Sequence, residues 1–448
     1  MAAIARVVAL DTLRSVHGGT ADLAAALERG RRRLADERDQ GLAAEIAIGT
    51  LRWRAALDHA IAWAGGRPAA AFDAVVLDIL RLSAYQLLHL DRVPAAAVVN
   101  DAVTLCRQRG FTRAAGAVNA ILRRISRDRS RLPMPDRADP AAYLSVAWSH
   151  PSWLVTRWLD RLGFEIALEW VRFDNAPAPL TLRANTLVTT RALLAEELAR
   201  HGVRTRPCAY APDGLVVESG RPFGTPAAAA GRFLAQDESS QLVGAFASPA
   251  PGDTVADLCA APGGKTVQLA AALGGRGLLV AGDVRSRRVR LLRQTLKAAG
   301  AGHVCVVCHD LLRGLPYGPV FDGVLVDAPC SSLGTLRRDP DIRWTRREAE
   351  IEELAGRQAR MLAEAARIVR PGGLLVYATC SSEPEENERV VDAFLDAQRD
   401  FTLEDPRAAG VAPAPGVSAC LDARGCLRTL PHQHQLEAFY AARLRRRR

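Results

Sequence analysis

The sequence predicts a multidomain protein: an all-α domain first, then a small α+β module, and finally a doubly wound α/β domain. Two observations carry this prediction. Apolar residues recur at helical spacing through residues 1–125, and no β-rich run interrupts them. From about residue 237, short apolar strands alternate regularly with helical segments, which is typical of a mostly parallel sheet. With 448 residues, the chain is long enough for roughly two to four domains.

The first domain is expected over residues 1–130, followed by a linker rich in Arg, Asp and Pro. Its most apolar helical pattern covers residues 75–90, and another covers residues 114–125. Arginines concentrate late in this domain, at Arg107, Arg109, Arg113, Arg123, Arg124, Arg127, Arg129 and Arg131. Clustered arginines attract the phosphates of a nucleic-acid backbone and so favour a nucleic-acid-binding surface, although a solvated helix face explains the cluster about as well.

The second domain is expected over residues 145–235. An amphipathic helix ended by Gly163 precedes the strand-like run L-T-L-R-A-N-T-L, a further helix and the strand-like run G-L-V-V-E-S. This order suits a small α+β module, and such modules often present single-stranded RNA.

The third domain is expected over residues 236–448. Its first strand ends at Cys259, and the next two end at Asp283 and Asp310. Strand four, V-L-V-D, is an apolar run without polar alternation and predicts a strand buried on both faces. Strand five, G-L-L-V-Y-A-T-C, ends at Cys380. A last strand precedes a basic tail, Arg445–Arg448, which we expect to be a frayed terminus.

Composition narrows the class of protein. The formal net charge is +10, and nearly all of the 59 basic residues are Arg, which favours a polyanion partner, although an Arg-rich surface fits equally well. No run of about 18 uncharged apolar residues and no signal peptide is present, so we expect a cytoplasmic protein without a membrane span. We expect RNA rather than DNA as the partner, and a monomer.

The nine cysteines are irregularly spaced, which argues against a disulfide framework. Cys305 and Cys308 form one C-x-x-C pair flanked by His303 and His309, a pattern that suggests zinc. Because no second pair follows, we interpret this run as a buried strand and expect no metal site.

A glycine-containing loop follows strand one, directly before a helix. Its residues are Cys259, Ala260, Ala261, Pro262, Gly263, Gly264 and Lys265. Glycines allow a tight turn and close approach to a ligand, and the helix start favours an anionic group. The loop matches neither the dinucleotide pattern G-x-G-x-x-G nor a phosphate-binding Walker loop. A nucleoside that carries a carboxylate, S-adenosylmethionine, fits better, with Asp283 on the ribose hydroxyls and Asp310 on the adenine amino group.

Two thiols and an acid are predicted to meet beside this loop. Asp327 and Cys330 follow strand four, and Cys380 ends strand five. In a doubly wound sheet these two strands lie side by side next to strand one, so their carboxyl ends share one edge. Lys265 and nearby helix termini can lower the pKa of a thiol there. From the residues alone, either thiol can be the attacking one.

These motifs carry a family resemblance. C-A-A-P-G-G-K-T, D-A-P-C-S-S-L-G-T-L-R-R-D-P-D-I-R-W and Y-A-T-C-S-S-E-P-E-E-N resemble the motifs of RNA 5-methylcytosine methyltransferases. In the first domain, L-R-L-S-A-Y-Q-L-L-H-L-D-R-V-P, V-V-N-D-A-V and A-V-N-A-I-L-R-R resemble the NusB-like RNA-binding domain. Together they resemble the RsmB/Sun (Fmu) family of small-subunit ribosomal RNA enzymes over nearly the full length.

The resemblance implies roles for these residues. It implies that S-adenosylmethionine lies on the Cys259–Lys265 loop with Asp283, Asp310 and Asp327. It implies that Cys380 adds to carbon 6 of a cytosine and that Cys330 resolves the covalent product. The chain departs from the family at Glu437-Ala438, where an Asp-Gly pair is usual, which puts the local turn in doubt.

Other interpretations stay open at this point. The substrate can be transfer RNA, and the chain can be a non-catalytic RNA-binding or assembly factor; a protein methyltransferase would leave both thiols unexplained. Arg337, Arg338, Arg343 and Trp344 are candidates for phosphate contact and base stacking. Local salt bridges and a core tryptophan explain these four residues equally well.

Overall fold

The computed structural model describes residues 2–408 and 413–448 and forms two compact units. The first unit holds the chain up to Ala176 and a returning segment, Leu336–Arg346. The second holds Pro177–Thr335 and Arg347–Arg448. The helical, small α+β and doubly wound α/β architectures that the sequence predicts are all present.

The first unit is helical, as its apolar periodicity predicts. Within residues 2–176, its helices are α1 (Ile4–His17), α2 (Leu23–Arg31), α3 (Glu37–Arg52), α4 (Arg54–Gly65), α5 (Ala74–His89), α6 (Ala95–Gln108), α7 (Ala115–Arg127), α8 (Pro140–Ala147) and α9 (Ser152–Asn175). Leu10, Ile46, Leu57 and Ile79 are fully buried where the apolar faces of these helices meet. Burial of these stripes is the main driving force for folding of this unit.

Gly163 interrupts α9 with a kink, after which the chain continues as a second helical stretch. Its φ of 74° and ψ of 171° divide the element into two helical stretches. The break at Gly163 was predicted, whereas the second stretch, which continues to Asn175, was not.

A four-stranded antiparallel sheet begins the second unit. Its strands are β1 (Thr181–Ala184), β2 (Arg204–Pro207), β3 (Gly214–Ser219) and β4 (Phe233–Ala235), in the order β2-β3-β1-β4, with helices α10 (Arg191–Arg200) and α11 (Pro226–Ala229). The sequence predicts β1, β3 and α10. It gives no signal for β2, an exposed edge strand without apolar alternation, or for β4, which has only three residues.

An eight-stranded mixed sheet forms the rest of the second unit, in the order β10-β12-β9-β8-β5-β6-β7, with β11 paired to β12. Its strands are β5 (Thr254–Asp257), β6 (Leu278–Asp283), β7 (Cys305–Cys308), β8 (Phe321–Asp327), β9 (Val369–Thr379), β10 (Phe401–Leu403), β11 (Leu427–Thr429) and β12 (Phe439–Arg446). The strands from β5 to β9 pair in parallel, and β12 is antiparallel to its neighbours. The predicted order of strands five, four and one is confirmed as β9-β8-β5.

Helices connect the strands of this sheet. They are α12 (Glu238–Phe246), α13 (Gly264–Leu273), α14 (Ser286–Ala298), α15 (Ile342–Thr345), α16 (Ala349–Ala366), α17 (Glu388–Ala397), α18 (Pro415–Ser418) and α19 (Pro431–His434). Among them only α15 lies in the returning segment that joins the first unit. No helix of the described residues is long and apolar enough to cross a membrane.

The strand β8 is buried on both faces, as its unbroken apolar run predicts. Leu325 packs in the core on one face of the sheet, and Val324 and Val326 pack in the core on the other. All three side chains are at most 2% exposed. This strand is therefore a rigid support for the residues that follow it.

Two predictions for the edges of this sheet are wrong. The C-x-x-C run forms β7, but β7 is an edge strand, and Cys305 and Cys308 are exposed rather than buried. Within the described residues, no group of three or more His, Cys, Asp or Glu side chains is arranged to hold a metal ion. The basic tail is not frayed at its start, because Arg445 and Arg446 lie in β12, where they pair with Glu404 and Asp400.

The returning segment is held in the first unit by Arg343. This side chain is completely buried, so it cannot contact phosphate, and the structural interpretation is the correct one for this residue. Its guanidinium donates to the carbonyl oxygens of Arg52, Ser149, Asp174 and Leu336 and to Oδ1 of Asn175, at 2.9–3.4 Å. Burial lowers the pKa of Arg343 to about 10, so the group remains charged at neutral pH.

We expect Arg343→Ala to destabilise the protein by about 3–5 kcal/mol, because the substitution leaves several buried acceptors without a donor. Equilibrium unfolding in urea, followed by circular dichroism, measures this change. Arg38→Ala, at an exposed helical position in the same unit, serves as the control and should change the free energy of unfolding by less than about 0.5 kcal/mol. Equal stability of the two variants would show that Arg343 is not an anchor.

Candidate active site

The parallel pairing of β8 and β9 brings the two candidate thiols together. Asp327 lies opposite Ala378 in the ladder, so the chain segments that follow both strands leave the sheet side by side. The Sγ atoms of Cys330 and Cys380 are 3.4 Å apart and form a hydrogen bond. The predicted convergence of the two thiols at one sheet edge is therefore present in the fold.

The two thiols differ in acidity. The hydrogen bond with Cys330, a second one with Ser332 and the charge of Lys265 together lower the pKa of Cys380, against the opposing effect of burial. The same hydrogen bond and burial raise the pKa of Cys330 well above its usual value. Cys380 is therefore the thiol that ionises first, while Cys330 stays protonated and donates to it.

Glu386 ties the loops of both thiols together. Its buried carboxylate accepts hydrogen bonds from the backbone N–H and the hydroxyl of Ser331, beside Cys330, and from the hydroxyl of Ser381, beside Cys380. Gln358 of α16 donates to the same carboxylate at 2.8 Å. A buried carboxylate with four donors is well satisfied, so it holds both loops in one geometry.

The loop after Cys330 is also fixed through its backbone. Gly334 donates to the carbonyl oxygen of Cys380 and accepts from the N–H of Ala438, both at 3.0 Å. A Cβ at position 334 would lie 1.9 Å from the carbonyl oxygen of Ala438, so only glycine fits this crossing. Ala438 belongs to the pair that departs from the family, yet it has no positive φ and needs no glycine.

Asp327 and Lys265 form an ion pair beside the thiols. The Nζ of Lys265 lies 2.7 Å from Oδ2 of Asp327. Burial alone would lower the pKa of Lys265, but the charge and hydrogen bond of Asp327 raise it above its usual value. The Asp327 side chain is 29% exposed, so it remains accessible to a ligand.

The loop Cys259–Lys265 has the form of a ligand cradle. Gly263 has a φ of 110°, and a Cβ there would approach Leu292 to 3.0 Å, which explains the need for glycine at this turn. Arg183 from β1 donates to the carbonyl oxygen of Gly264, and Arg288 donates to that of Ala261, both at 2.7 Å. Cys259 is half-buried, and burial together with the charges of neighbouring carboxylates raises the pKa of its thiol, so this thiol stays protonated at neutral pH.

Acidic side chains at the ends of neighbouring strands fit the donors of S-adenosylmethionine. Asp283 ends β6, and Asp310 follows β7 two residues after its last position. Asp257 ends β5, and burial raises its pKa to about 7 although Thr266 donates a hydrogen bond to it. Its Oδ1 is buried and has no hydrogen-bond partner within the described residues. These carboxylates can accept from ribose hydroxyls and from an ammonium group.

Sequence reasoning missed two of these acids, Glu386 and Asp257. Glu386 lies at the start of a helical pattern, where an acid is common for local reasons, so its long-range contacts leave no sequence signal. Asp257 is the last polar residue of an apolar strand and gives the signal that singled out Asp327 at the end of β8. An acidic residue at the end of a buried strand is thus a sequence signal that points to Asp257 as well as to Asp327.

Comparison with protein families gives three matches along the chain. The family described as 16S rRNA methyltransferase RsmB/F matches residues 245–445. The NusB family matches residues 3–127, and the ferredoxin-like domain of RsmF/B-like methyltransferases matches residues 150–223.

Curated relatives match most of the chain. A probable ribosomal RNA small subunit methyltransferase B of Bacillus subtilis (strain 168) is 32% identical over 92% of this chain and 91% of that protein. The ribosomal RNA small subunit methyltransferase B of Pseudomonas putida is 35% identical over 87% of this chain and 88% of that protein. Among solved structures, the crystal structure of PH0851 is 27% identical, with a TM-score of 0.81 and 97% of each chain covered.

We expect Cys380 to react with iodoacetamide at lower pH than Cys330, because its thiolate is stabilised by the neighbouring thiol. In Cys330→Ala this hydrogen bond is lost, so the pH midpoint of Cys380 alkylation should rise. Peptide mass spectrometry across pH 6–10 follows both sites. Cys426→Ala, which removes another buried thiol of the same unit, should leave the midpoint unchanged. An unchanged midpoint in Cys330→Ala would mean that the sulfur–sulfur contact does not set the acidity.

Proposed function

Since this chain belongs to the RsmB/F family of S-adenosylmethionine-dependent methyltransferases, we propose that it methylates carbon 5 of a cytosine in small-subunit ribosomal RNA, in the cytoplasm. The observation that carries the proposal is the pair of thiols 3.4 Å apart, one with a lowered pKa and the other with a raised pKa. Methyl transfer to oxygen or to an exocyclic nitrogen needs no such pair. Methyl transfer to carbon needs a nucleophile that first activates the ring.

Cys380 is proposed as that nucleophile. Its thiolate adds to carbon 6 of the cytosine, which breaks the aromatic double bond and moves electron density to carbon 5. The Sγ of Cys380 lies 3.4 Å from the Sγ of Cys330 and 3.5 Å from the Oγ of Ser332, at the end of a rigid strand, so the reacting sulfur is already positioned. The cytosine must leave its stacked position to reach the sulfur, which favours an unpaired or flipped base.

Asp327 is proposed to hold the ring during this addition. Nitrogen 3 must take up a proton from water as the thiolate adds, because negative charge would otherwise develop there, and the Asp327 carboxylate is proposed to accept a hydrogen bond from the resulting N–H. Lys265 fixes the orientation of this carboxylate through the 2.7 Å ion pair. It also places a positive charge beside the thiolate, in agreement with its effect on the pKa of Cys380.

Cys330 is proposed to resolve the covalent product. Once carbon 5 carries the methyl group, a base, taken here as water, removes its proton. The electron pair of that C–H bond restores the double bond between carbons 5 and 6, and the bond between carbon 6 and Cys380 breaks with its electrons on the sulfur. Cys330 lies beside the leaving sulfur and is protonated before the reaction, so it can return a proton to the Cys380 thiolate as this bond breaks. Its own acidity is too weak to compete as the nucleophile.

S-adenosylmethionine supplies the methyl group as a carbon bonded to a positively charged sulfur. The residues proposed to hold it are the Cys259–Lys265 loop together with Asp283, Asp310 and Asp327. The tight turn at Gly263 and the start of α13 present backbone N–H groups to a carboxylate. The carboxylates at the strand ends orient the hydroxyl groups of the nucleoside.

RNA contact is proposed to involve the helical unit. A groove of about 630 Å³ between α6 and α7 is lined by Arg107 and Arg123, both exposed. Arg109 and Arg124 of the same cluster have other roles, because Arg109 pairs with Asp11 and Arg124 lies over the ring of Trp63. We also propose that the chain is divided into three domains, which cover residues 1–130, 145–235 and 236–448.

We expect Cys330→Ala to accumulate a covalent RNA–protein adduct, since the addition step proceeds and the resolving step fails. On a denaturing gel of the protein purified from cells, a slower species should disappear after nuclease treatment. Cys380→Ala should form no adduct and lose methyl transfer by about 10³-fold or more. An adduct found only in Cys380→Ala would exchange the two roles, and no adduct in either variant would contradict the covalent mechanism.

We expect tritiated methyl groups from S-adenosylmethionine to enter small-subunit ribosomal RNA in preference to transfer RNA, because the curated relatives are named for that substrate. Purified RNAs of both classes are compared at equal nucleotide concentration, and the modified base is identified after nuclease digestion. Incorporation mainly into transfer RNA would contradict the proposed substrate but would leave the proposed methylation of cytosine unaffected. Binding of RNA without any incorporation would favour a non-catalytic assembly factor.

A further inference from the structure

A cavity of about 710 Å³ lies in the first unit, outside the candidate active site. It is bounded by the last turn of α1, the start of α4, the face of α5 and the returning segment with α15. The lining residues that matter for its chemistry are Arg14, Arg54, Phe72, Leu77, Arg81 and Trp344. Exposed residues at its rim, among them Ala74 and Thr345, leave it open to solvent. Its volume lies within the range of small-ligand pockets.

Two of the three lining arginines are neutralised inside the protein. Arg81 pairs with Asp58 at 2.6 Å and with Asp78 at 3.3 Å. Arg14 pairs with Asp78 at 3.2 Å. These contacts account for both carboxylates, so Arg81 and Arg14 have a structural role and do not require a ligand.

Arg54 is different from the other two arginines. In the part of the chain that the structure describes, no carboxylate lies within ion-pair distance of its guanidinium, which sits over the ring of Trp344 at 5.3 Å. Burial, followed by the nearby charge of Arg81, lowers the pKa of Arg54. The charges of Asp58 and Asp78 act in the opposite direction but lie beyond ion-pair distance, so the guanidinium keeps donors for an anionic ligand in the cavity.

The wall beside Arg54 is aromatic and rigid. The indole Nε1–H of Trp344 donates to the carbonyl oxygen of Leu51 at 2.6 Å, which fixes the ring plane. Phe72 and Leu77 are buried and complete an apolar surface. An unpaired guanidinium next to a fixed aromatic face combines the two elements that bind a nucleotide, an anchor for phosphate and a platform for the base.

We propose that this cavity binds one nucleotide of a single-stranded RNA, with its phosphate on Arg54 and its base against Trp344. The inference rests on the proposed function, because it assigns a second contact for the same RNA substrate, away from the reacting cytosine. The cavity is also lined by Asp58 and Asp78, but both carboxylates are held in the ion pairs with Arg14 and Arg81. Arg54 is therefore the lining guanidinium that is left for a phosphate, and it lies beside an aromatic wall that suits a base. The returning segment supplies Trp344, so it takes part in binding as well as in the fold.

Arg54→Gln tests the phosphate contact in the full-length protein. We expect the Kd for a transcript of small-subunit ribosomal RNA, measured by filter binding, to rise about 10-fold. The slope of log K against log salt should decrease in magnitude by about 0.7, as for the loss of one phosphate contact on a single strand. Arg38→Gln, an exposed arginine elsewhere in the same unit, should change neither quantity.

Ala74→Trp tests the cavity without removing a charge, because the large side chain at the exposed rim blocks entry. It should weaken RNA binding to a similar extent and should leave the melting temperature unchanged. In a third measurement, photo-crosslinking of the transcript containing 4-thiouridine should identify a peptide that includes Trp344. This variant and the crosslink keep the inference testable if Arg54→Gln folds poorly.

Unchanged affinity in both Arg54→Gln and Ala74→Trp overturns the proposal. Loss of affinity only in Arg54→Gln, together with a lower melting temperature, also overturns it and assigns Arg54 a structural role. Binding of millimolar inorganic phosphate to the unmodified protein but not to Arg54→Gln, with no RNA crosslink at Trp344, would also overturn the proposal and make this a simple anion site. All of these measurements report RNA binding. They therefore test this proposal even if the protein proves not to methylate cytosine, which would contradict the proposed function.

Discussion

The hydrogen bond between Cys330 and Cys380 is the interaction on which the geometry and the acidity of the candidate active site depend. One shared proton between two sulfur atoms cannot favour ionisation of both, so it lowers the pKa of one thiol as it raises that of the other. Two cysteines of equal intrinsic acidity thereby become different, because Cys380 ionises first and Cys330 stays protonated. The surroundings add to this difference, since the hydroxyl of Ser332 and the charge of Lys265 lower the pKa of Cys380.

The hydrogen bond between the two sulfur atoms forms only if the loops that carry them keep a fixed separation. Parallel pairing of β8 and β9 sets their starting points, and the buried carboxylate of Glu386 then joins Ser331 to Ser381 across the gap. A carboxylate is suited to this task because it accepts several hydrogen bonds at once and donates none. The site is therefore preorganised by a residue that has no part in the chemistry, which spares the thiols from reorganising when a substrate arrives.

The sequence predicts those features of this site that arise from strand order and from motif residues. Buried strands can be read from Val324, Leu325 and Val326, and strand order follows from the general rule for doubly wound sheets. What could not be predicted depends on contacts between residues far apart in the chain. Arg343 reads as a nucleic-acid contact in a basic motif, yet its acceptors come from α3, α9 and the loops around them, and only the folded structure brings them together. The burial of an edge strand such as β7 is mispredicted for a related reason, since an apolar run in the sequence does not reveal whether other elements cover the strand.

The motif from Asp327 to Trp344 serves both units of the protein, and this explains why it is so long. The chain leaves the second unit at Thr335, five residues after Cys330, and the next segment belongs to the first unit. The first part of the motif must pack closely beside the two thiols, and position 334 there has no room for a side chain. The second part must fill a buried site with a charged guanidinium at Arg343, which only a set of well-placed carbonyl oxygens makes tolerable. Two independent constraints in one continuous stretch restrict its sequence far more than either constraint alone, so the stretch is constrained along its length and not only at Cys330.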